Sequence, residues 1–348
     1  MNSSYSTTKD SSFPVVAITM GDAAGIGPEI IVKALQSKQI RTLCRPMVIG
    51  DGGIMEDVLQ RLRAHMSINR IRSIDEISGK SGTIDVLDLQ NLNVEEVIPG
   101  EICAACGKAV IEYIKEGARL VLNKSIDALV TAPINKKAAQ LAGSMDIGHL
   151  ELLARLSDVV EYATMLMAGP LKVVHHTTHY PLRDVCTLVT SEKIAAKLKL
   201  IDHSFGQWGI SHPCIAVAAL NPHAGEEGML GTEEIEEITP AIEDAQKAGI
   251  DAHGPFPADT IFNRCINGEF DVVLAMYHDQ GHIPVKVYGF EKSVSIALGL
   301  PFTRTSVDHG TAFDIAGKGI AGSQSMEEAI YVAVRLAKRQ GLPDVRKQ

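Results

Sequence analysis

Aromatic side chains make up only 5% of this sequence, with a single Trp, and its lysines and arginines never gather into a basic block. A basic patch interleaved with aromatics is the footprint of a nucleic-acid binder. Its lack, with a formal net charge of -9, disfavours any polyanionic partner while leaving room for a small anion held by a few local cations. No apolar stretch approaches the roughly 20 residues of a membrane-spanning helix. The opening Met1 to Ser12 is polar and has no apolar core of a secretory signal, so it reads as a disordered tail. Six scattered cysteines, Cys44, Cys103, Cys106, Cys186, Cys214 and Cys265, form no disulfide framework, which suits a reducing cytoplasm. Cys103-Ala-Ala-Cys106 has no second pair to complete a zinc site and reads as the small-residue face of a helix.

What is present is a chain of 348 residues, 45% hydrophobic and 22% charged, long enough for two ordinary domains and hence a cleft. From Pro14 onward short apolar runs alternate with amphipathic stretches, the grammar of β-α-β units and a mostly parallel sheet. Strands are predicted at Val15 to Thr19, Pro46 to Ile49, Ile84 to Leu87, Ala128 to Thr131, Ala163 to Met167, Val173 to Thr177, Ile215 to Leu220 and Val272 to Met276. Helices are predicted over Gly107 to Asn123, Ser191 to Phe205, Thr232 to Ala248 and Ser325 to Gln340. There is no internal repeat and no Pro- or Gly-rich linker.

Functional residues cluster where predicted strands end, the place where open α/β sheets bind ligands. The first strand runs into Gly21-Asp22-Ala-Ala-Gly-Ile-Gly-Pro-Glu29, a tight turn before a helix with Pro28 in its first turn. Its amides face an anion or simply make the turn; the pattern is neither G-x-G-x-x-G nor a Walker loop. Thr131-Ala-Pro-Ile-Asn-Lys136-Lys137 offers a lysine to a carboxylate or phosphate, or a solvated helix start. His179, His223 and His278 each follow a predicted strand. Three neutral imidazoles suit Zn, Co, Mn or Fe and leave positions open for substrate, although His175, His176 and His282 offer competing trios. Asp259, in a Pro-flanked loop, presents a carboxylate to a metal, a hydroxyl or a helix N-terminus. Arg304 opens a small-residue segment running to Gly317, and its guanidinium can bind a pair of anionic oxygens.

These residues resemble the 4-hydroxythreonine-4-phosphate dehydrogenase family of vitamin B6 synthesis from Phe13 to the end. The motifs are Gly21-Asp-Ala-Ala-Gly-Ile-Gly-Pro-Glu, Thr131-Ala-Pro-Ile-Asn-Lys, Gly148-His-Leu-Glu, Thr178-His-Tyr-Pro-Leu-Arg, Leu220-Asn-Pro-His-Ala-Gly-Glu, Met276-Tyr-His-Asp-Gln-Gly-His and Arg304-Thr-Ser-Val-Asp-His-Gly-Thr-Ala. Asp308 to Lys318 is also similar to the adenine-side loop of isocitrate and isopropylmalate dehydrogenases. The resemblance implies two α/β/α domains around a central cleft, here divided as 13–134 with 295–348 and 135–294. It implies a homodimer whose subunits share the metal site, and a non-Rossmann NAD site to which Gly21, Asp22, His309, Gly310, Thr311 and Asp314 are assigned.

The same resemblance makes His179, His223 and His278 ligands of one divalent metal (Zn, Mg, Mn or Co). It makes His149, Lys286 and Arg304 substrate contacts, and puts Asp259 and Lys286 in catalysis. The implied chemistry is oxidation of a substrate hydroxyl, hydride passing to NAD, with loss of carbon dioxide from the β-keto acid formed. Two positions depart from the vitamin-pathway pattern: Leu150 replaces the usual Thr and Ser295 the usual Asn, and lost polar contacts change substrate preference. With His282 and Phe313-Asp314, the chain is more similar to the branch acting on 4-phosphorylated threonate or erythronate. The alternatives are 4-hydroxythreonine 4-phosphate, a dihydrodiol, and a binding protein that kept the fold without the reaction.

Overall fold

The computed structural model describes residues 13–144, 146 and 148–343; the tail expected at 1–12 lies outside the described residues. Its strands are β1 (Val15–Thr19), β2 (Arg45–Gly50), β3 (Ser67–Ile71), β4 (Thr83–Asp88), β5 (Ala128–Thr131), β6 (Ala163–Ala168), β7 (Leu171–His175), β8 (Ile215–Ala218), β9 (Ala252–Phe256), β10 (Val272–Ala275), β11 (Val294–Leu298) and β12 (Thr303–Val307). Among the described residues they form one 12-stranded sheet in the order β3-β4-β2-β1-β5-β12-β11-β6-β7-β10-β8-β9. The α/β class read from the sequence holds.

The central strands are buried on both faces, which is why β1 reads Val-Val-Ala-Ile-Thr without alternation. The helices Gly27–Leu35, Ala104–Leu122, Ser191–Gln207 and Gln324–Ala337 cover the sheet with their apolar stripes. Cys103 precedes the helix Ala104–Leu122, and Cys106 is buried on it. A close backbone approach fixes where this helix crosses its neighbour Lys136–Leu141: a Cβ on Gly107 would lie 2.0 Å from the Ala138 carbonyl oxygen.

Two blocks of parallel pairing flank a short antiparallel stretch. The strands from β3 to β12 pair in parallel, as do β7, β10, β8 and β9. Between the blocks, β12–β11, β11–β6 and β6–β7 are antiparallel, so the blocks run in opposite senses. The helix His278–Gly289 starts where β10 ends and carries Lys286 in its last turn. Asp259 stands in the first turn of the helix Ala258–Ile266 rather than in a loop. The helix expected over 232–248 is interrupted, a π-turn at Glu234–Ile238 preceding Thr239–Lys247. There the buried Glu234 carboxylate accepts hydrogen bonds from the Leu220 and Asn221 amides at 2.8 and 2.7 Å. That contact anchors the loop bearing His223.

Candidate active site

The carboxyl ends of β7, β10, β8 and β9, four consecutive parallel strands, lead to His179, His278, His223 and Asp259. His179 and His278 line one cavity of about 340 Å³ together with Tyr180, Tyr277 and Asp279, and their ring centroids are 5.9 Å apart. Burial, with Lys136 and His278 nearby, lowers the pKa of His179, keeping it in the neutral form that ligates metals. His282 stacks on His278 at 3.6 Å, and its Nδ1 is 3.0 Å from Nε2 of the buried His175. Desolvation takes His175 down to about 3 and His282 down to about 4, so this second pair is uncharged at neutral pH.

His223 lies on the loop that follows β8, the strand next to β10. It begins a run of left-handed residues, with φ 52° at His223, 58° at Ala224, 43° at Glu226 and 56° at Glu227, a conformation costing non-glycine residues about 1–2 kcal/mol each. Its Nδ1 is 2.6 Å from Glu226 Oε1, and it is exposed. Glu226 raises its pKa, with a further contribution from Asp259. The three histidines do not come within 4.8 Å of one another through their nitrogens. As donors they fit a metal of the zinc class: two neighbouring imidazoles and a third on the adjacent strand's loop, with Nε2 of His223 left to coordinate.

A second group of residues is cationic. Arg304, on β12, is buried; its Nη2 donates to Thr131 Oγ1 at 2.7 Å, and its Nε has no hydrogen-bond partner. Desolvation brings its pKa down to about 10. Burial, with the same guanidinium and Lys136 nearby, holds His149 far below its ordinary pKa, and His149 Nε2 is enclosed without a partner. Lys286 lies 2.7 Å from Asp308 Oδ2 and also donates to the Asp308 carbonyl. The groups adjoin: Lys136 acts on both His149 and His179, Glu151 on both His179 and Arg304, and Asp308 with Lys286 on His282. A buried guanidinium with an unsatisfied donor and a half-buried lysine beside neutral imidazoles suit a small anion whose reacting atom sits near a metal.

A third group comes together around the first turn. Gly21, at φ 73°, lets the Asp22 amide donate to the Pro133 carbonyl at 2.9 Å, and a Cβ there would lie 2.5 Å from that oxygen. The Thr311 carbonyl accepts from Ile26 N at 3.0 Å, and a Cβ on Gly25 would be 2.9 Å from Thr311 Cβ. The 309–314 segment is therefore docked on the glycine turn. Within it His309 Nδ1 is 3.0 Å from the Gly310 carbonyl, and Asp314 is exposed. Asp22 is buried, caps Ala24 N at 3.0 Å, and is pushed up to about 6 by desolvation.

Of the two departures, Leu150 is partly buried against the hydrophobic core, and Ser295 lies on β11 opposite Ser306 and Leu166. The sequence reading did not single out Asp308, Glu226 or Glu234. Asp308 lay inside a motif already assigned to the cofactor, and nothing in its spacing announced the ion pair with Lys286.

A family model described as "Pyridoxal phosphate biosynthetic protein PdxA" matches residues 42–333. A Halalkalibacterium halodurans protein, provisionally named a D-threonate 4-phosphate dehydrogenase, is 48% identical over 93% of this chain and 97% of its own. A crystal structure of a 4-hydroxythreonine-4-phosphate dehydrogenase from Klebsiella pneumoniae superposes with a TM-score of 0.88 at 40% identity, covering 94% of this chain and 99% of that one. One of the same name from Burkholderia phymatum gives 0.83 at 44% identity, covering 93% and 98%.

Proposed function

The chain belongs to the PdxA family of dehydrogenases, and on that footing we propose that it oxidises D-threonate 4-phosphate or D-erythronate 4-phosphate with NAD in a metal-dependent reaction. The observation that carries the choice of a sugar acid is Leu150. Next to His149 it is an aliphatic side chain only partly buried against the core, so this position lacks the hydroxyl that would reward an extra polar group on the substrate. The relative from Halalkalibacterium halodurans carries the corresponding name.

In this reading Arg304 and Lys286 hold the carboxylate and phosphate, and His149, neutral, offers Nε2 to a substrate oxygen. His179, His223 and His278 would hold a divalent metal, which would supply positive charge where negative charge develops on the substrate oxygen. Lys286 and Asp259 are the chain's own proton-handling groups. Gly21, Asp22 and the 309–314 segment form the nicotinamide dinucleotide site, with backbone amides of the turn and the small-residue loop allowing close approach. Oxidation precedes decarboxylation because only a β-keto acid has an adjacent carbonyl to accept the electron pair of the breaking carbon–carbon bond.

The reading includes a homodimer with the metal site completed between subunits. Its support is twofold: the nitrogens of His179, His223 and His278 do not all come within 4.8 Å of one another in a single chain, and the helix His278–Gly289 exposes Ile283, Val287 and Tyr288, followed by exposed Phe290. An apolar row of this kind marks an interaction surface. No helix among the described residues is long and apolar enough to cross a membrane; a cytoplasmic setting belongs to the same proposal.

The test is removal of the metal. Chelated protein should lose NAD reduction with D-threonate 4-phosphate and regain it on adding a divalent ion, and His278→Ala should not be rescued. Full turnover after exhaustive chelation contradicts the metal role. The alternative, 4-hydroxy-L-threonine 4-phosphate as substrate, is favoured by the names of the two solved structures and is tested below.

A further inference from the structure

At the opposite ends of β8 and β9 from His223 and Asp259, Cys214, Asp251 and His253 bring a thiol sulfur, a carboxylate oxygen and an imidazole nitrogen within 4.8 Å of one another. The register makes this so. Ile215 pairs with Ala252 and Ala216 with His253, and side chains alternate along a strand. Asp251 and His253 therefore share a face, and Cys214, one residue before Ile215, falls on it beside Asp251. The backbone is pinned: Cys214 N donates to Asp271 Oδ2 at 2.9 Å, and Asp271 N donates to the Cys214 carbonyl at 2.9 Å. His253 Nε2 is 2.6 Å from Asp251 Oδ1. Among the described residues this is the one group of at least three His, Cys, Asp or Glu side chains drawn so close.

The surroundings decide what the cluster is suited to. Burial pushes the Cys214 thiol up to about 11, and the carboxylates of Asp251, Asp271 and Glu269 push the same way. A thiol so placed is a poor nucleophile and a poor redox centre. The same negative surroundings attract a cation, and thiolate plus carboxylate would neutralise a doubly charged ion. Sulfur, nitrogen and oxygen donors together select zinc-class metals over magnesium or calcium.

We propose that Cys214, Asp251 and His253 bind a zinc-class divalent cation, at a site separate from the histidines at the other end of these strands. Binding releases the thiol proton to water, and water completes the coordination. Because β9 is an edge strand of the described sheet, the ion would pin that edge to β8 where β8 begins.

Cobalt(II) added to the full-length, metal-free protein tests this, because only a thiolate ligand gives the near-ultraviolet sulfur-to-cobalt charge-transfer band. Wild-type protein should show the band. Cys214→Ser should abolish it, His253→Ala should weaken it, and His278→Ala should leave it intact, which separates this site from the proposed active site. A wild-type spectrum without the band, or a band that survives Cys214→Ser or is untouched by His253→Ala, overturns the proposal. Circular dichroism of each variant checks that the fold is retained.

Discussion

The Lys286 ammonium is 2.7 Å from the Asp308 carboxylate and donates as well to the Asp308 backbone carbonyl, joining the last turn of the helix His278–Gly289 to the end of β12. The lysine is partly buried beside His282, so its charge is set for an anionic substrate without being mobile. Lys286→Met should raise the KM for the phosphorylated substrate roughly tenfold to a hundredfold, the worth of a charge-assisted hydrogen bond. Steady-state kinetics with the phosphorylated acid as varied substrate check this. An unchanged KM and kcat would remove Lys286 from the site.

Arg304 is a buried guanidinium that donates to Thr131 while its Nε has no hydrogen-bond partner among the described residues, an arrangement that is unfavourable until an anion arrives. Arg304→Met should therefore leave the ligand-free protein as stable as wild type or more stable by roughly 1–3 kcal/mol. It should also abolish the rise in melting temperature that inorganic phosphate or substrate gives wild type. Differential scanning calorimetry with and without phosphate reads both. A destabilised variant that still responds to phosphate would make Arg304 purely structural.

Asp22 is pushed by burial from 3.8 to about 6. Between those values the folded protein binds more protons than the unfolded chain, so this group lowers stability as pH rises through that window and the loss is complete above about 6. Asp22→Asn keeps the oxygen that caps Ala24 and removes the titration. Urea unfolding should show the variant gaining on wild type from about pH 4 to about pH 6, reaching at most about 3 kcal/mol. A difference independent of pH would contradict the burial argument.

Gly107 has no room for a methyl group, since a Cβ would meet the Ala138 carbonyl oxygen at 2.0 Å. Gly107→Ala should destabilise by roughly 1–3 kcal/mol through forced backbone movement, and should shift the helix Lys136–Leu141, whose first residue acts electrostatically on His149 and His179. Thermal unfolding and KM should both change. A variant with wild-type melting temperature would show that the helix crossing is looser than this contact requires.

The strands that were legible in the sequence are those buried on both faces, where a continuous apolar run leaves no other reading: β1, β2, β4, β5, β6, β7, β8 and β10 all fall within the predicted segments or a few residues of them. Those missed break that pattern for physical reasons. β12 reads Thr-Arg-Thr-Ser-Val yet is buried, because Arg304 Nη2 and the Ser306 hydroxyl are answered by Thr131 and the Thr305 hydroxyl by the Ala329 carbonyl, leaving Arg304 Nε unpaired. β3 is a polar edge strand, and β9 contains Gly254 and Pro255. β11 reads Val-Ser-Ile-Ala-Leu, an ordinary strand pattern. The sequence also named His179 and His278, which adjoin, and His149 and Arg304, which share a field. It could not disclose that His223 begins a left-handed turn, or that Lys286 is paired with Asp308, a contact between separate elements.

The central claim is an NAD-linked dehydrogenase for a phosphorylated sugar acid. It is tested most directly by following reduced-cofactor absorbance with purified protein, NAD and a divalent metal against D-threonate 4-phosphate, D-erythronate 4-phosphate and 4-hydroxy-L-threonine 4-phosphate in parallel. A kcat/KM higher for a sugar acid than for the amino acid is the predicted result, and Leu150→Thr should narrow the gap. Turnover of 4-hydroxy-L-threonine 4-phosphate alone would contradict the account and return the chain to pyridoxal phosphate synthesis.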